Sequence, residues 1–184
     1  DAIGTLANNY DLILIDTPPA TDPLVKAAFV AARHLILTTK SDASSVRGIV
    51  HTAEVFADVV TNGLNPDLDV MGVVRFNMAP THTARLHNAT TRITGVLDGL
   101  PIPVFNTFIR TADKAADDVR DLGQLAHEYA NAAETAPAFY ETLRTGHKPA
   151  QTYSTAAGSL ATDYLNLWIE IRDRYLATIQ ETTP

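Results

Sequence analysis

The chain has 184 residues, 46% of them hydrophobic, which suits one sizeable domain with a continuous core rather than two separate ones. Its 14 Lys and Arg against 21 Asp and Glu leave a net charge of -7, so bulk electrostatics repel a polyphosphate and any nucleic-acid contact has to come from a local patch. There is no cysteine, which excludes disulfides, thiolate metal sites and thiol redox chemistry. No apolar run approaches the roughly 18 to 20 residues of a membrane span, and the first residues lack the basic and apolar regions of a signal peptide, so a soluble, cytoplasmic location is expected. The chain opens at Asp1, in what reads as the middle of a helix, and is expected to be part of a longer polypeptide or a processed product.

Four short apolar segments are the expected strands: Asp11–Asp16, His34–Thr39, Val70–Phe76 and Pro103–Phe108. The first, Leu-Ile-Leu-Ile before Asp16, has no polar alternation and suits a strand covered on both faces; Thr17, Pro18 and Pro19 then begin a rigid, extended exit. The spacer after it starts with Asp22 and Pro23, an N-cap followed by proline at the first helical position. The next spacer opens near Asp42, sets Val46, Ile49, Val50, Ala53, Phe56 and Val60 on one helical stripe, and meets its stop signal at Asn62 and Gly63. A third repeats the pattern with Leu86, Ala89, Ile93 and Leu97 before Gly99. Thr111 to Tyr129 reads as an acidic amphipathic helical segment and Leu160 to Ile179 as a long helix. Between them, the stretch from Glu134 to Gly158 reads as a partly helical excursion. The last helix sets Leu160, Tyr164, Leu167, Trp168, Ile171, Tyr175 and Ile179 on one side and Asp163, Glu170, Arg172, Asp173 and Arg174 on the other. Such an acidic mixture argues against a membrane-surface helix and for docking on the sheet or on a partner chain.

Strands separated by helices of this length call for crossover connections, hence an α/β fold with a parallel sheet flanked by helices and a C-terminal helical extension. Ligands of such sheets bind beyond the carboxyl ends of the strands, where Asp16, Lys40, Asn77 and Arg110 fall. An Asp at the end of a buried strand is the geometry by which phosphate-binding α/β proteins hold Mg²⁺ through a water, although Asp16 can equally cap the turn that follows it. Asn77 is a candidate base reader or an ordinary turn residue before Pro80. Arg75, Arg85, Arg92 and Arg110 are a candidate DNA patch or, as dispersed arginines more often are, solvated surface. His82 and His87 are off the four-residue spacing of paired metal ligands, and no Gly-x-Ser-x-Gly elbow occurs, so neither a zinc site nor a Ser-His-Asp hydrolase is supported.

The run from Tyr10 to Pro19, YDLILIDTPP, resembles the Walker B region of the ParA/MinD (Soj-like) family of deviant-Walker ATPases, commonly YDxIIIDTPP. His34 to Lys40 resembles the family's next strand, Ser44 to Gly48 the start of the helix after it, and Val70 to Met78 the strand that ends at the adenine-side loop. Pro103 to Arg110 is similar to its last core strand, and Gly123 to Tyr129 to the helix that follows. The resemblance covers roughly residues 5 to 130. It implies a partial P-loop NTPase-like fold, with residues 1–130 the C-terminal portion of the ATPase domain and residues 131–184 a helical extension packed on it. It places Asp16 in the water shell of Mg²⁺, Thr17 beside it, and Asn77, Met78 and Arg110 around the adenine of ATP. The family's P-loop with its lysines is missing, since none of the nine glycines precedes a lysine, so this chain alone is not expected to hydrolyse ATP. The family's usual proline between Ile109 and Arg110 is missing too.

The function implied is that of part of a partition ATPase for plasmids or chromosomes. It would be a homodimer closed by Mg²⁺ and ATP, binding DNA nonspecifically, stimulated by a ParB-type partner and not membrane-bound. The alternative is a non-catalytic protein-interaction module derived from such an ATPase.

Overall fold

The computed structural model of the chain describes residues 2–18, 23–40, 42–79, 83–96, 102–137 and 152–181. Packing defines two compact units, one of residues 1–74 and 87–104, the other of residues 75–86 and 105–184.

In the first unit, helix α1 (Ala2–Ala7) leads into residues 12–18, which have no regular secondary structure. The strand expected at Asp11–Asp16 does not form, and Leu14 is 82% exposed. A parallel strand exists only through lateral hydrogen bonds to its neighbours. The three described strands, β1 (His34–Thr39), β2 (Asp69–Met78) and β3 (Val104–Arg110), pair with one another in the order β1-β2-β3, and none of them pairs with this segment. An apolar run without a partner strand stays irregular, with Leu12, Leu14 and Ile15 exposed.

The three strands are parallel, and three backbone bonds mark their pairing. Asp69 N–H donates to Arg33 C=O where β1 and β2 begin, Val73 N–H to Pro103 C=O, and Thr111 N–H to Met78 C=O where β2 and β3 end. This is the expected α/β architecture of a parallel sheet flanked by helices.

Helix α2 (Pro23–Ala31) buries Val25 and Phe29 against Val59 and Leu68. Asp22, its expected N-cap, lies outside the described residues. At its other end the amide of Asn65 donates to Phe29 C=O at 2.9 Å and Ala32 C=O at 2.7 Å, a C-cap supplied from over thirty residues away. Helix α3 (Ala43–Thr61) starts at Asp42, whose carboxylate accepts from the N–H groups of Ser44 at 3.1 Å and Ser45 at 2.9 Å, and it ends at Asn62 before the left-handed Gly63. Its buried stripe runs through Ile49, Phe56 and Val59, so Val50, expected on that stripe, is exposed. Lys26 ties α2 to α3 through Asp58 at 2.5 Å. Helix α4 (Thr83–Val96) buries Ile93 against Leu37, Val70 and Val73; Leu97 and Gly99 lie outside the described residues.

In the second unit the expected continuous segment from Thr111 to Tyr129 is two helices, α5 (Asp113–Leu122) and α6 (Ala126–Thr135). Gly123, at φ 62°, separates them: its N–H donates to Arg120 C=O and the N–H of Gln124 to Val119 C=O, the paired bonds of a Schellman motif. The Glu128 carboxylate then accepts from Leu125 N–H at 2.8 Å and starts α6. Tyr129, fully buried, donates its hydroxyl to Asp118 and accepts from Ser154 N–H at 2.9 Å, which fixes where the chain re-enters before α7 (Ala157–Glu181). Most of the expected excursion after Glu134 lies outside the described residues.

Candidate functional site

Asp16 and Thr17 belong to the first unit, and Asn77, Met78 and Arg110 to the second. The Asp16 carboxylate is exposed and, among the described residues, has no ion-pair partner, while Thr17 is half-buried. One free carboxylate fits a hydrated Mg²⁺, which takes most of its ligands from water and phosphate oxygens. Among the described residues no group of three or more acidic, His or Cys side chains is placed to hold an ion by itself. Beyond the end of β1, Lys40 is exposed. Close after it, the hydroxyls of Ser44 at 2.5 Å and Ser45 at 2.7 Å hold the Asp42 carboxyl well below the usual carboxylate range, which commits that residue to capping α3.

At the end of β2, Asn77 takes the left-handed region with φ 56°, a conformation that asparagine tolerates better than most residues, and it is exposed. Met78 beside it is buried, with its carbonyl accepting from Thr111 N–H. Arg110, at the end of β3, is held by Asp163 of α7. Nε and Nη2 donate to the two carboxylate oxygens at 2.6 and 2.8 Å, and the Arg110 backbone N–H adds a third bond at 3.0 Å. This forked pair, with side chains only 26% and 10% exposed, raises the Arg110 pKa still further through its hydrogen bonds to Asp163. The guanidinium is thus occupied within the fold.

The candidate DNA patch is likewise divided. Arg75 turns inward, donating from Nη2 to the carbonyls of Phe105 at 2.9 Å and Asn106 at 2.7 Å, with its guanidinium 5.8 Å from the centre of the Phe108 ring. Burial lowers its pKa. Arg92 is exposed, and the side chain of Arg85 lies outside the described residues.

Two residues of α7 are structurally central although the sequence reading set them on its polar face. Asp163 binds Arg110, and Glu170, two turns on, accepts from Asn106 N–H at 2.8 Å and Thr107 N–H at 2.9 Å with its two oxygens. Arg174 closes the arrangement, bonded to Glu170 at 2.9 Å and stacked 3.9 Å above the Phe105 ring. The seven-residue spacing of Asp163 and Glu170 was the available signal: it puts both carboxylates on one face, which a solvated helix has no need to do.

Burial raises the Glu170 pKa, but the N–H groups of Thr107 and Asn106 and the charge of Arg174 outweigh it, so the net shift is downward from 4.5. A carboxyl whose folded pKa lies below its unfolded one stabilises the fold above the unfolded value and loses that contribution as pH falls through the folded value. Urea titrations of wild type and Glu170→Gln between pH 7 and pH 3 are therefore expected to converge as the pH drops below about 4.5, with the wild type more stable above it.

A family model described as an AAA domain matches residues 1–70, which contain the YDLILIDTPP run. Over 74 residues, 40% of this chain, it is 34% identical to the chromosome partitioning protein ParA of Myxococcus xanthus. Over 65 residues, 35% of this chain, it is 31% identical to the chromosome-partitioning ATPase Soj of Thermus thermophilus. The chain is thus similar, over part of its length, to ParA-type chromosome-partitioning ATPases. The aligned part spans 26% of each of these two relatives, about a quarter of their length. Among the described residues no helix is long and apolar enough to cross a membrane.

Proposed function

We propose that the chain is the portion of a ParA-type partition ATPase that supplies the Walker B side of its nucleotide site. The observation that carries this reading is the match of residues 1–70, DTPP segment included, to an AAA-domain family, alongside the partial identity of the chain to two chromosome-partitioning proteins. In this reading Asp16 orients a water of the Mg²⁺ shell and Thr17 lines the same loop. Bound Mg²⁺ would offset the charge of the ATP phosphates. Asn77, exposed on a left-handed backbone, offers its amide to the adenine edge; Met78 closes the apolar side; Arg110, its guanidinium engaged by Asp163, contributes its backbone and stem. The assembled ATPase would act in the cytoplasm as a homodimer, released from nonspecific DNA by a ParB-type partner.

The test is ATP hydrolysis by the complete polypeptide that contains these residues, with Mg²⁺ and nonspecific DNA, as wild type and as Asp16→Ala. Turnover is expected to fall by on the order of 100-fold or more in the variant, the scale of losing one preorganised group at a transition state. Absence of nucleotide binding in both forms would instead assign the chain to the non-catalytic interaction modules. The unpaired, exposed segment around Leu14 is the observation on that side.

A further inference from the structure

With Asp163, Glu170 and Arg174 turned to β3, the other side of α7 is left with an apolar stripe. Tyr164, Leu165, Trp168, Tyr175, Leu176 and Ile179 recur at steps of three, four and seven residues and are all exposed, Leu165 at 57% and Trp168 at 48%. The first half of the stripe walls a groove of about 630 Å³ whose other side is α6 and the end of α5. Leu125 stands opposite Leu165 and Trp168, and Ala130, Gly158 and Ala161 are lining residues small enough for another backbone to come close.

The charge around this groove selects its occupant. Helices α5 and α6 carry six carboxylates against two cations, and both cations are already engaged, Lys114 with Asp118 at 2.7 Å and Arg120 with Asp117 at 3.8 Å. Glu134 lies in the groove wall itself. On α7 the one cation close to the stripe, Arg172, is turned onto Asp173 at 2.7 Å. Apart from Glu134 and His127 the lining itself is uncharged, but the helices that border it carry a net negative charge, which disfavours a second copy of itself and an anionic lipid surface and complements Lys and Arg.

We propose that the groove between α6 and α7 is a docking site for an amphipathic helix of a partner protein, with an apolar stripe seated on Leu165 and Trp168 and basic residues along its flanks. The mode is helix-in-groove recognition, in which apolar anchors supply affinity and flanking charges supply orientation and on-rate. It stands on the groove alone and does not depend on the ATPase reading.

Trp168 is the only tryptophan of the chain and so reports occupancy directly. The probes are two synthetic helical peptides of about 18 residues, five turns, with leucines on one face and either lysines or glutamates on the other. With the full 184-residue chain, the Leu/Lys peptide is expected to give a saturable blue shift of Trp168 emission. Binding is expected to weaken about 10-fold between low salt and 0.5 M salt as screening grows. Leu165→Asp, an exposed position, is expected to weaken it by about 10-fold or more with an unchanged far-UV spectrum, and Glu134→Lys by several-fold. The proposal is overturned by any of four results: no saturable shift with the Leu/Lys peptide, equal binding of the Leu/Glu peptide, wild-type binding by Leu165→Asp, or a doubled mass with Trp168 already blue-shifted before peptide is added. The last would assign the face to a second copy of the chain.

Discussion

Asp163→Ala is expected to lower the unfolding free energy of the second unit by about 2–4 kcal/mol, the range for stranding a half-buried cation together with a buried backbone donor. Three bonds end on this carboxylate, and its removal leaves the Arg110 guanidinium and N–H without their acceptor in a place that water reaches poorly. Asp163→Asn keeps an oxygen for the backbone N–H but loses the charge and the fork, so it should fall between the two. Urea unfolding followed by Trp168 emission reads this unit, because that residue lies on α7 itself. A loss below about 1 kcal/mol for the alanine variant would place the pair among ordinary surface ion pairs.

A larger loss, about 3–5 kcal/mol, is expected from Phe105→Ala, since truncating a fully buried aromatic forfeits its transfer energy and leaves a cavity. Phe105 has no exposed surface, and its ring carries the Arg174 guanidinium at 3.9 Å. The variant therefore also removes a cation–π contact of about 0.5–2 kcal/mol and frees Arg174 from its platform beside Glu170. Phe105→Leu, which refills most of the volume, should recover more than half of the loss in the same urea experiment. Equal losses for the two would mean that the aromatic face, not the volume, is what the site uses.

Much of the architecture was legible because it rests on local chemistry. Asp42, Asn62 and Gly63 bound α3 as their capping preferences require, and β1 follows His34–Thr39 residue for residue. What escaped reading depends on partners distant in the chain. The Leu12 to Ile15 run has a strand's composition, yet a strand is a relation between two segments, and no described strand takes this one as its neighbour. The end of α2 carries no local stop residue because Asn65 supplies the cap from beyond α3. Gly123 was visible as a residue, but an otherwise continuous amphipathic pattern outweighed its tendency to end a helix. Asp16 and Asn77 were singled out as candidates by position, at or beyond the ends of expected strands, whereas Asp163 and Glu170 were hidden among charges that read as solvated. Arg110 was assigned outward because sequence does not reveal that a carboxylate fifty-three residues later claims it.

The hold of α7 on β3 also bears on solubility. β3 borders the described sheet, and a bordering strand normally offers its free N–H groups to any passing chain, the first step toward cross-β aggregation. Here the donors of Asn106, Thr107 and Arg110 end on carboxylates of the chain's own last helix. A protease cut that released α7 would thus do more than remove a helix: it would turn a guarded border into a template.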